Sequence, residues 1–324
     1  VNILITGGAG YIGSHLADAL INANHQVTVL DNLSTGRITN ISHLLDQTRF
    51  RLVCDSILNA PLVDQLVAEA DVIYHLAATV GVRHVVDNPL KCIVTNVRGT
   101  EVVLESVYRH WRRVVIASSS EVYGKSEKAP LIEDDDSLLG PTAVGRWSYA
   151  LSKALDEHLA FAYHRQGLAA SVVRYFNSYG PRLDRRGYGS VVARFINQAL
   201  DGQPITVYDD GRQTRCFTYV DDTVRGTLLV GTLGEAKGKA FNIGNDRETA
   251  ILELAQMVRD VINPEIVIKH IPYTQAYGVR FEETRRRVPD IRRARDLLGF
   301  EAKVPLDEGL RRTIDWFRGQ RDSN

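Results

Sequence analysis

The run Ser118-Ser119-Ser120-Glu121-Val122-Tyr123-Gly124 and a second run, Arg146-Trp147-Ser148-Tyr149-Ala150-Leu151-Ser152-Lys153, supply hydroxyls, a carboxylate, a tyrosine and a lysine. These groups can oxidise a secondary alcohol and act on the carbon beside it. A free phenol titrates near pH ~10, so it is a poor base at neutrality unless cations stabilise the phenolate. Lys153, one helical turn beyond Tyr149, is one such cation, and a nicotinamide ring is another. Alone, the Tyr-x-x-x-Lys spacing also fits an ordinary surface pair on a helix. The start of the chain decides between the two.

Val1-Asn2-Ile3-Leu4-Ile5-Thr6 reads as a buried parallel strand that turns through Gly7, Gly10 and Gly13 into an amphipathic helix over about 11–24. The first glycine lets the turn tighten, the second lets backbone N–H groups approach a pyrophosphate, and the third lets helix pack against strand. Tyr11 and Ile12 belong to the same cradle. A second apolar strand over 26–30 ends at Asp31, followed by Asn32. The Asp31 carboxylate is placed to accept hydrogen bonds from a ribose diol and would repel a 2′-phosphate, so the expected cofactor is NAD and not NADP.

Further apolar runs over 50–54, 72–76, 114–118 and 170–175 alternate with helical patterns near 61–68, 89–109 and 147–166. This alternation predicts right-handed crossovers and an α/β fold, a Rossmann-type doubly wound parallel sheet. Ligands on such a sheet bind beyond the carboxyl ends of its strands, where Gly7, Asp31, Asp55 with Ser56, the stretch His75, Leu76, Ala77 and Ala78, and the stretch Ser118 to Glu121 all fall. After about Gly180 the pattern changes. Loops at Gly187-Tyr188-Gly189 and Asp209-Asp210-Gly211, short strands, and a closing helix over 306–317 predict a smaller α/β lobe. The expected division is an NAD-binding domain over 1–179 and a substrate lobe over 180–324, with some interleaving.

At 324 residues the chain can bury a large core without disulfides. Lys+Arg and Asp+Glu both number 39, so no global field recruits nucleic acid or an anionic membrane, and specificity must come from a local site. Cys54, Cys92 and Cys216 are scattered without Cys-x-x-Cys spacing, which argues against a metal site and fits a reducing cytoplasm. No apolar run reaches the length of a membrane span. Glu133-Asp134-Asp135-Asp136 and the basic cluster over 109–113 read as solvated surface, and His75 as a packed or backbone-bonded residue. Trp111 and Trp147 read as packing residues.

The glycine cradle, Asp31, the Tyr149/Lys153 pair and the stretches Arg174-Tyr175-Phe176-Asn177-Ser178-Tyr179-Gly180-Pro181-Arg182 and 210–222 together resemble the extended short-chain dehydrogenase/reductase family acting on nucleotide-sugars, over nearly the whole chain. The resemblance implies that Tyr149 is the acid/base, that Lys153 holds the nicotinamide ribose and lowers the tyrosine pKa, and that Ser119 hydrogen-bonds the sugar hydroxyl. It also implies that Asn177 and Arg215 contact the nucleotide diphosphate, with Arg182 beside them, and that Asp55 lies near the adenine. A homodimer formed by the helices near 89–109 and 147–166 is implied as well.

Members share oxidation at carbon 4 of the sugar and differ in what the ketone then does. Sugar 4,6-dehydratases typically carry Thr-Asp-Glu where this chain has Ser119-Ser120-Glu121, so dehydration lacks its acid. UDP-glucuronate decarboxylases carry a similar hydroxyl-Glu pattern, an arginine three residues before the tyrosine and another just before a Pro-x-Ile segment. Arg146 and Arg287 occupy those places. The resemblance therefore implies decarboxylation of UDP-glucuronate to UDP-xylose or a UDP-4-keto-pentose, with Ser120, Glu121 and Arg287 serving the chemistry. Competing readings are a loop cap for Glu121, a solvated basic run for Arg287, and a helix or phosphate anchor for Arg146. One departure points elsewhere: Val85 stands where decarboxylases have a tyrosine, and Thr79-Val80-Gly81-Val82-Arg83-His84 is similar to the loop of bacterial 4-epimerases. The alternative is thus a UDP-glucuronate or UDP-glucose 4-epimerase, with Arg83 on the substrate. A non-catalytic NAD sensor would not need the Ser-Tyr-Lys set.

Overall fold

Runs rich in Val, Ile and Leu make the strands β1 (Asn2–Thr6), β2 (Gln26–Leu30), β3 (Phe50–Val53), β4 (Val72–His75), β5 (Arg113–Ser119) and β6 (Ala170–Tyr175). Such runs need apolar cover on both faces. The computed structural model, which describes residues 1–80, 88–184, 190–272, 274–275 and 284–322, provides it. Ile3 and Ile5 point to a core shared with α1 (Tyr11–Asn22) and the later helix at Val220–Thr232. Leu4 between them points to a second core with α2 (Ala60–Glu69) and the helices of residues 99–109 and 147–165. That is the two-residue period of a strand with helices on both sides.

All neighbours in the central sheet are parallel, in the order β11-β6-β5-β4-β1-β2-β3, where β11 is Ala240–Ile243. The seventh strand thus comes from beyond residue 180. Residues after β6 otherwise build β7 (Ser178–Tyr179), β8 (Ile205–Tyr208), β9 (Thr214–Cys216), β10 (Thr218–Tyr219), β12 (Glu248–Ala250), β13 (Ile268–Ile271) and β14 (Arg286–Arg287). These form small sheets, one of which places β9 between antiparallel β12 and parallel β14.

Three sequence expectations need correction. The first helix ends at Asn22 because Asn24 turns left-handed, at φ 63°. The long helix expected over 89–109 is α3 (Pro89–Ile93), a π-helical turn (Val94–Arg98) and α4 (Gly99–Arg109). The charge clusters are not simple solvated surface. Glu133 is buried, and its carboxylate accepts the N–H of Asn242 in β11 at 3.0 Å. Arg113 donates to the carbonyls of Val230, Thr232 and Leu233, where the helix at Val220–Thr232 ends, so its cation meets the negative helix terminus.

Candidate active site

The strand ends converge as the sheet requires. A cleft of about 470 Å³ runs along their carboxyl edge, and at its floor lies the glycine turn. Gly7 has φ +73°, and a Cβ there would lie 2.7 Å from the backbone nitrogen of Ala77 in the next strand's loop. At Gly13 a Cβ would sit 2.3 Å from the Gly7 carbonyl, so any side chain would push helix α1 off the turn. The absence of side chains therefore lets the turn close tightly, with Gly7, Gly10 and Gly13 lining the cleft. Tyr11 and Ile12 line it, and the Tyr11 hydroxyl stands 3.3 Å from Ser178 Oγ.

At the end of β2, Asp31 is buried, with Oδ2 accepting from the Ala9 N–H at 2.9 Å and Oδ1 from the Leu33 N–H at 2.8 Å. Burial raises its pKa, and these two amides work against the rise. Asn32, Asp55, Ser56, Leu76, Ala77 and Ala78 line the same end of the cleft. Asp55 accepts from the Ser56 N–H at 2.6 Å and from Asn59 Nδ2 at 3.0 Å. A glycine turn with a fixed carboxylate at the neighbouring strand end fits a dinucleotide whose ribose carries a free diol.

The chemical end is built by β5 and helix α5 (Trp147–Arg165). Ser119 ends the strand, and its hydroxyl accepts the Glu121 N–H at 3.2 Å, which starts a short 3₁₀ turn over Ser120–Tyr123. That turn aims Ser119 and Glu121 at α5. Ser119 hydrogen-bonds the Tyr149 phenol, which lowers the phenol pKa, but burial and the Glu121 charge raise it more, to well above its ordinary value. Lys153 Nζ donates to Asp156 Oδ2 at 3.0 Å, both side chains buried. A neutral phenol here needs a further positive charge to become a base.

Glu121 is the electrostatic centre. Arg287 Nη1 donates to its Oε1 at 2.6 Å and Arg146 Nη1 to its Oε2 at 3.2 Å. Burial by itself would raise this carboxyl, but the charges of Arg287 and Arg146 outweigh it, aided by Arg215, and hold it at about 2. Arg215 of β9 is the register partner of Arg287 in β14, so three cations flank one anion. Arg146 also stacks over the Trp147 ring, 4.8 Å from its centroid, and Trp147 is buried. Trp111, by contrast, is 63% exposed, which corrects its expected packing role; its ring packs at a tilt against Tyr108, with centroids 5.2 Å apart.

Asn177 lines the cleft in a left-handed conformation, φ 36°, with Nδ2 donating to the Cys216 carbonyl at 3.3 Å. Arg182 also lines the cleft and pairs with Asp18 at 2.7 Å. Its Nη1 is buried with no protein partner among the described residues, a donor suited to a phosphate or hydroxyl. Arg215 stands behind the Glu121 cluster and is not part of the cleft wall, whereas Ser120 is on that wall. Arg83 and Val85 lie outside the described residues. His75 is buried, with Nδ1 2.7 Å from Thr6 Oγ1 and Nε2 3.0 Å from Thr100 Oγ1, a packed residue and not a catalyst.

Sequence reasoning missed Asn96, which sits inside the π-helical turn, buried. Its Oδ1 accepts the Thr79 N–H at 2.7 Å, and its Nδ2 donates to Ser152 Oγ at 3.1 Å, tying the loop after β4 to the helix that carries Tyr149. The available signal was Val94-Thr95-Asn96, three poor helix formers in mid-helix. Among the described residues no cluster of His, Cys, Asp and Glu is arranged for a metal, and no helix is long and apolar enough to cross a membrane.

A family model described as GDP-mannose 4,6 dehydratase matches residues 4–313. The chain is 42% identical to a UDP-N-acetyl-alpha-D-glucosaminuronate decarboxylase of Bacillus cytotoxicus, over 97% of each chain. It is 41% identical to UDP-glucuronic acid decarboxylase 1 of Danio rerio, over 97% of this chain and 72% of that one. Among solved structures, it is similar to a UDP-glucuronic acid 4-epimerase of Bacillus cereus in complex with UDP-glucuronic acid and NAD. That match has 30% identity and a TM-score of 0.87, covering 99% of this chain and all of the other. With the glycine cradle, the seven-stranded sheet and the Ser119/Tyr149/Lys153 set in place, the chain belongs to the GDP-mannose 4,6 dehydratase family, the extended short-chain dehydrogenases/reductases that act on nucleotide-sugars.

Proposed function

We propose that this chain is an NAD-dependent nucleotide-sugar decarboxylase that takes UDP-glucuronate, oxidises carbon 4 and releases the carboxyl group as carbon dioxide, leaving a UDP-4-keto-pentose, which becomes UDP-xylose where the hydride is returned to carbon 4 and a proton to its oxygen. The observation that carries this reading is the carboxylate-and-arginine cluster of Glu121, Arg287 and Arg146 beside Ser119 and Tyr149, with Ser120 where a dehydratase would need an acid. Relatives near 40% identity over almost the whole chain carry decarboxylase names.

The residues divide the work in sequence. Tyr149 takes the proton of the carbon 4 hydroxyl, which Ser119 orients. NAD, when bound in the glycine cradle, supplies the hydride acceptor and a positive charge that favours the phenolate. A ketone at carbon 4 turns the sugar acid into a β-keto acid, whose carbon–carbon bond breaks to give carbon dioxide and an enolate. Ser119 and Tyr149 hydrogen-bond the enolate oxygen as charge gathers there. Arg287 and Arg146 offer planar forks to a carboxylate, and substrate must share them with Glu121. Glu121, anionic at neutral pH, acts as an acceptor that can hold a water for proton return to the sugar. Lys153 holds the nicotinamide ribose, Asn177 and Arg182 support the diphosphate end, and Arg215 backs the Glu121 cluster.

Leu90, Ile93 and Val94 on α3 and its π-helical continuation, with Leu151 and Leu155 on α5, are exposed apolar side chains on neighbouring helices. They support a homodimer through these helices. Three free cysteines without a disulfide support a reducing, cytoplasmic setting.

Incubation with UDP-glucuronate and, separately, with UDP-N-acetylglucosaminuronate tests the reading by product mass. Loss of the carboxyl group from UDP-glucuronate is expected. Loss only from the N-acetylated sugar would move the substrate assignment, and a product of unchanged mass with inverted carbon 4 would make the chain an epimerase.

A further inference from the structure

The rim of the cleft that holds Asp31 also carries a cation. Gly36 lies so close to Asp31 that a Cβ there would sit 2.8 Å from Oδ2, and the next residue, Arg37, donates its backbone N–H to the Ala9 carbonyl at 3.0 Å. Ala9 in turn donates to Asp31. Arg37 is thus locked to the wall from which Asp31 projects, and both side chains line the cleft. An arginine beside the ribose-facing carboxylate is the arrangement that accommodates a 2′-phosphate. Here its Nη2 is spent on Asp184 Oδ1, 2.5 Å away, on the loop that follows β7 and Arg182. The pair is only partly exposed, at 39% for Arg37 and 28% for Asp184, so solvent screens it incompletely.

We infer that Asp184 is a specificity-determining residue for the cofactor: by neutralising Arg37 it denies a 2′-phosphate its cation, while Asp31 repels the same phosphate directly. Selectivity for NAD then comes from two carboxylates on different segments, one facing the ribose and one occupying the arginine. A 2′-phosphate entering this rim meets both charges and must displace Asp184 to reach the guanidinium. The NAD diol makes no such demand. The inference rests on NAD being the cofactor.

Binding of NAD and NADP, measured by calorimetry without turnover, tests it. The proteins are the wild type, Asp31→Asn, Asp31→Asn/Asp184→Asn and the triple variant that adds Arg37→Gln. With Asp31 already neutral, Asp184→Asn is expected to tighten NADP by about fivefold or more while changing NAD by less than about twofold, because a partly exposed charge pair is exchanged for a charge-assisted arginine–phosphate contact. The gain is expected to vanish when Arg37→Gln is added. Asp184→Ser in the same background should repeat the result. Parallel changes for both nucleotides would overturn the inference and make the pair a strap between segments, as would a gain that survives Arg37→Gln. Failure of the wild type to bind NAD at all would overturn the cofactor reading along with it.

Discussion

At the scale of single residues, Glu121 decides more than any other side chain. Its folded pKa of about 2 lies below the ordinary 4.5, because two buried arginine contacts outweigh the cost of burying its charge. A depressed carboxyl contributes stability that is full above its unfolded pKa and is lost as pH falls through the folded one. That contribution is about 3 kcal/mol. Glu121→Gln should therefore lower the melting temperature at neutral pH, and thermal melts in a pH series should show the deficit shrinking between about 4.5 and about 2. A deficit independent of pH would mean that the charge is not what the arginines hold. The identities of Ser119, Glu121, Tyr149 and Arg287 were legible in the sequence through their motifs. Their protonation was not, because the neutral phenol depends on burial and on a Glu121 charge contributed from another element.

At the scale of elements, the strands were legible because two-sided burial demands continuous apolar runs, and the bounds of β2 and β6 agree with the sequence reading residue for residue. The break in the helix over 89–109 was not legible as a break. It exists because Asn96 is recruited by Thr79 and Ser152, partners remote in sequence. Asn96→Ala leaves the Thr79 N–H and a Ser152 contact unmet in a buried setting, and should cost on the order of 2–4 kcal/mol in a denaturant titration. A loss below about 0.5 kcal/mol would show that the π-helical turn does not anchor α5. β11 escaped the sequence reading for a similar reason: Ala240–Ile243 is a short apolar run in a region of short strands, and only its parallel pairing with β6 reveals that it belongs to the main sheet.

At the scale of the whole molecule, zero formal net charge left recognition to one local cleft, and the strand ends, the stretch Arg182–Asp184, Arg287 of β14 and helix α5 all deliver side chains to it. The exposed stripe of Leu151 and Leu155 on α5, beside Leu90 and Ile93, marks the face expected to pair with a second copy. The wild type is expected to sediment as a dimer and the Leu151→Glu/Leu155→Glu variant as a monomer; a monomeric wild type, or a variant of unchanged mass, would contradict pairing through this face. The central claim is that one site first oxidises the sugar and then uses Glu121 and Arg287 to expel its carboxyl group. The most direct measurement is a single turnover of UDP-glucuronate labelled at the carboxyl carbon, following cofactor absorbance and labelled carbon dioxide together, for the wild type, Glu121→Gln and Arg287→Ala. Both variants should still reduce bound NAD but release labelled carbon dioxide slower by about a hundredfold or more. Carbon dioxide release at the wild-type rate in both variants, or a label that stays on the sugar in the wild type, would contradict that claim.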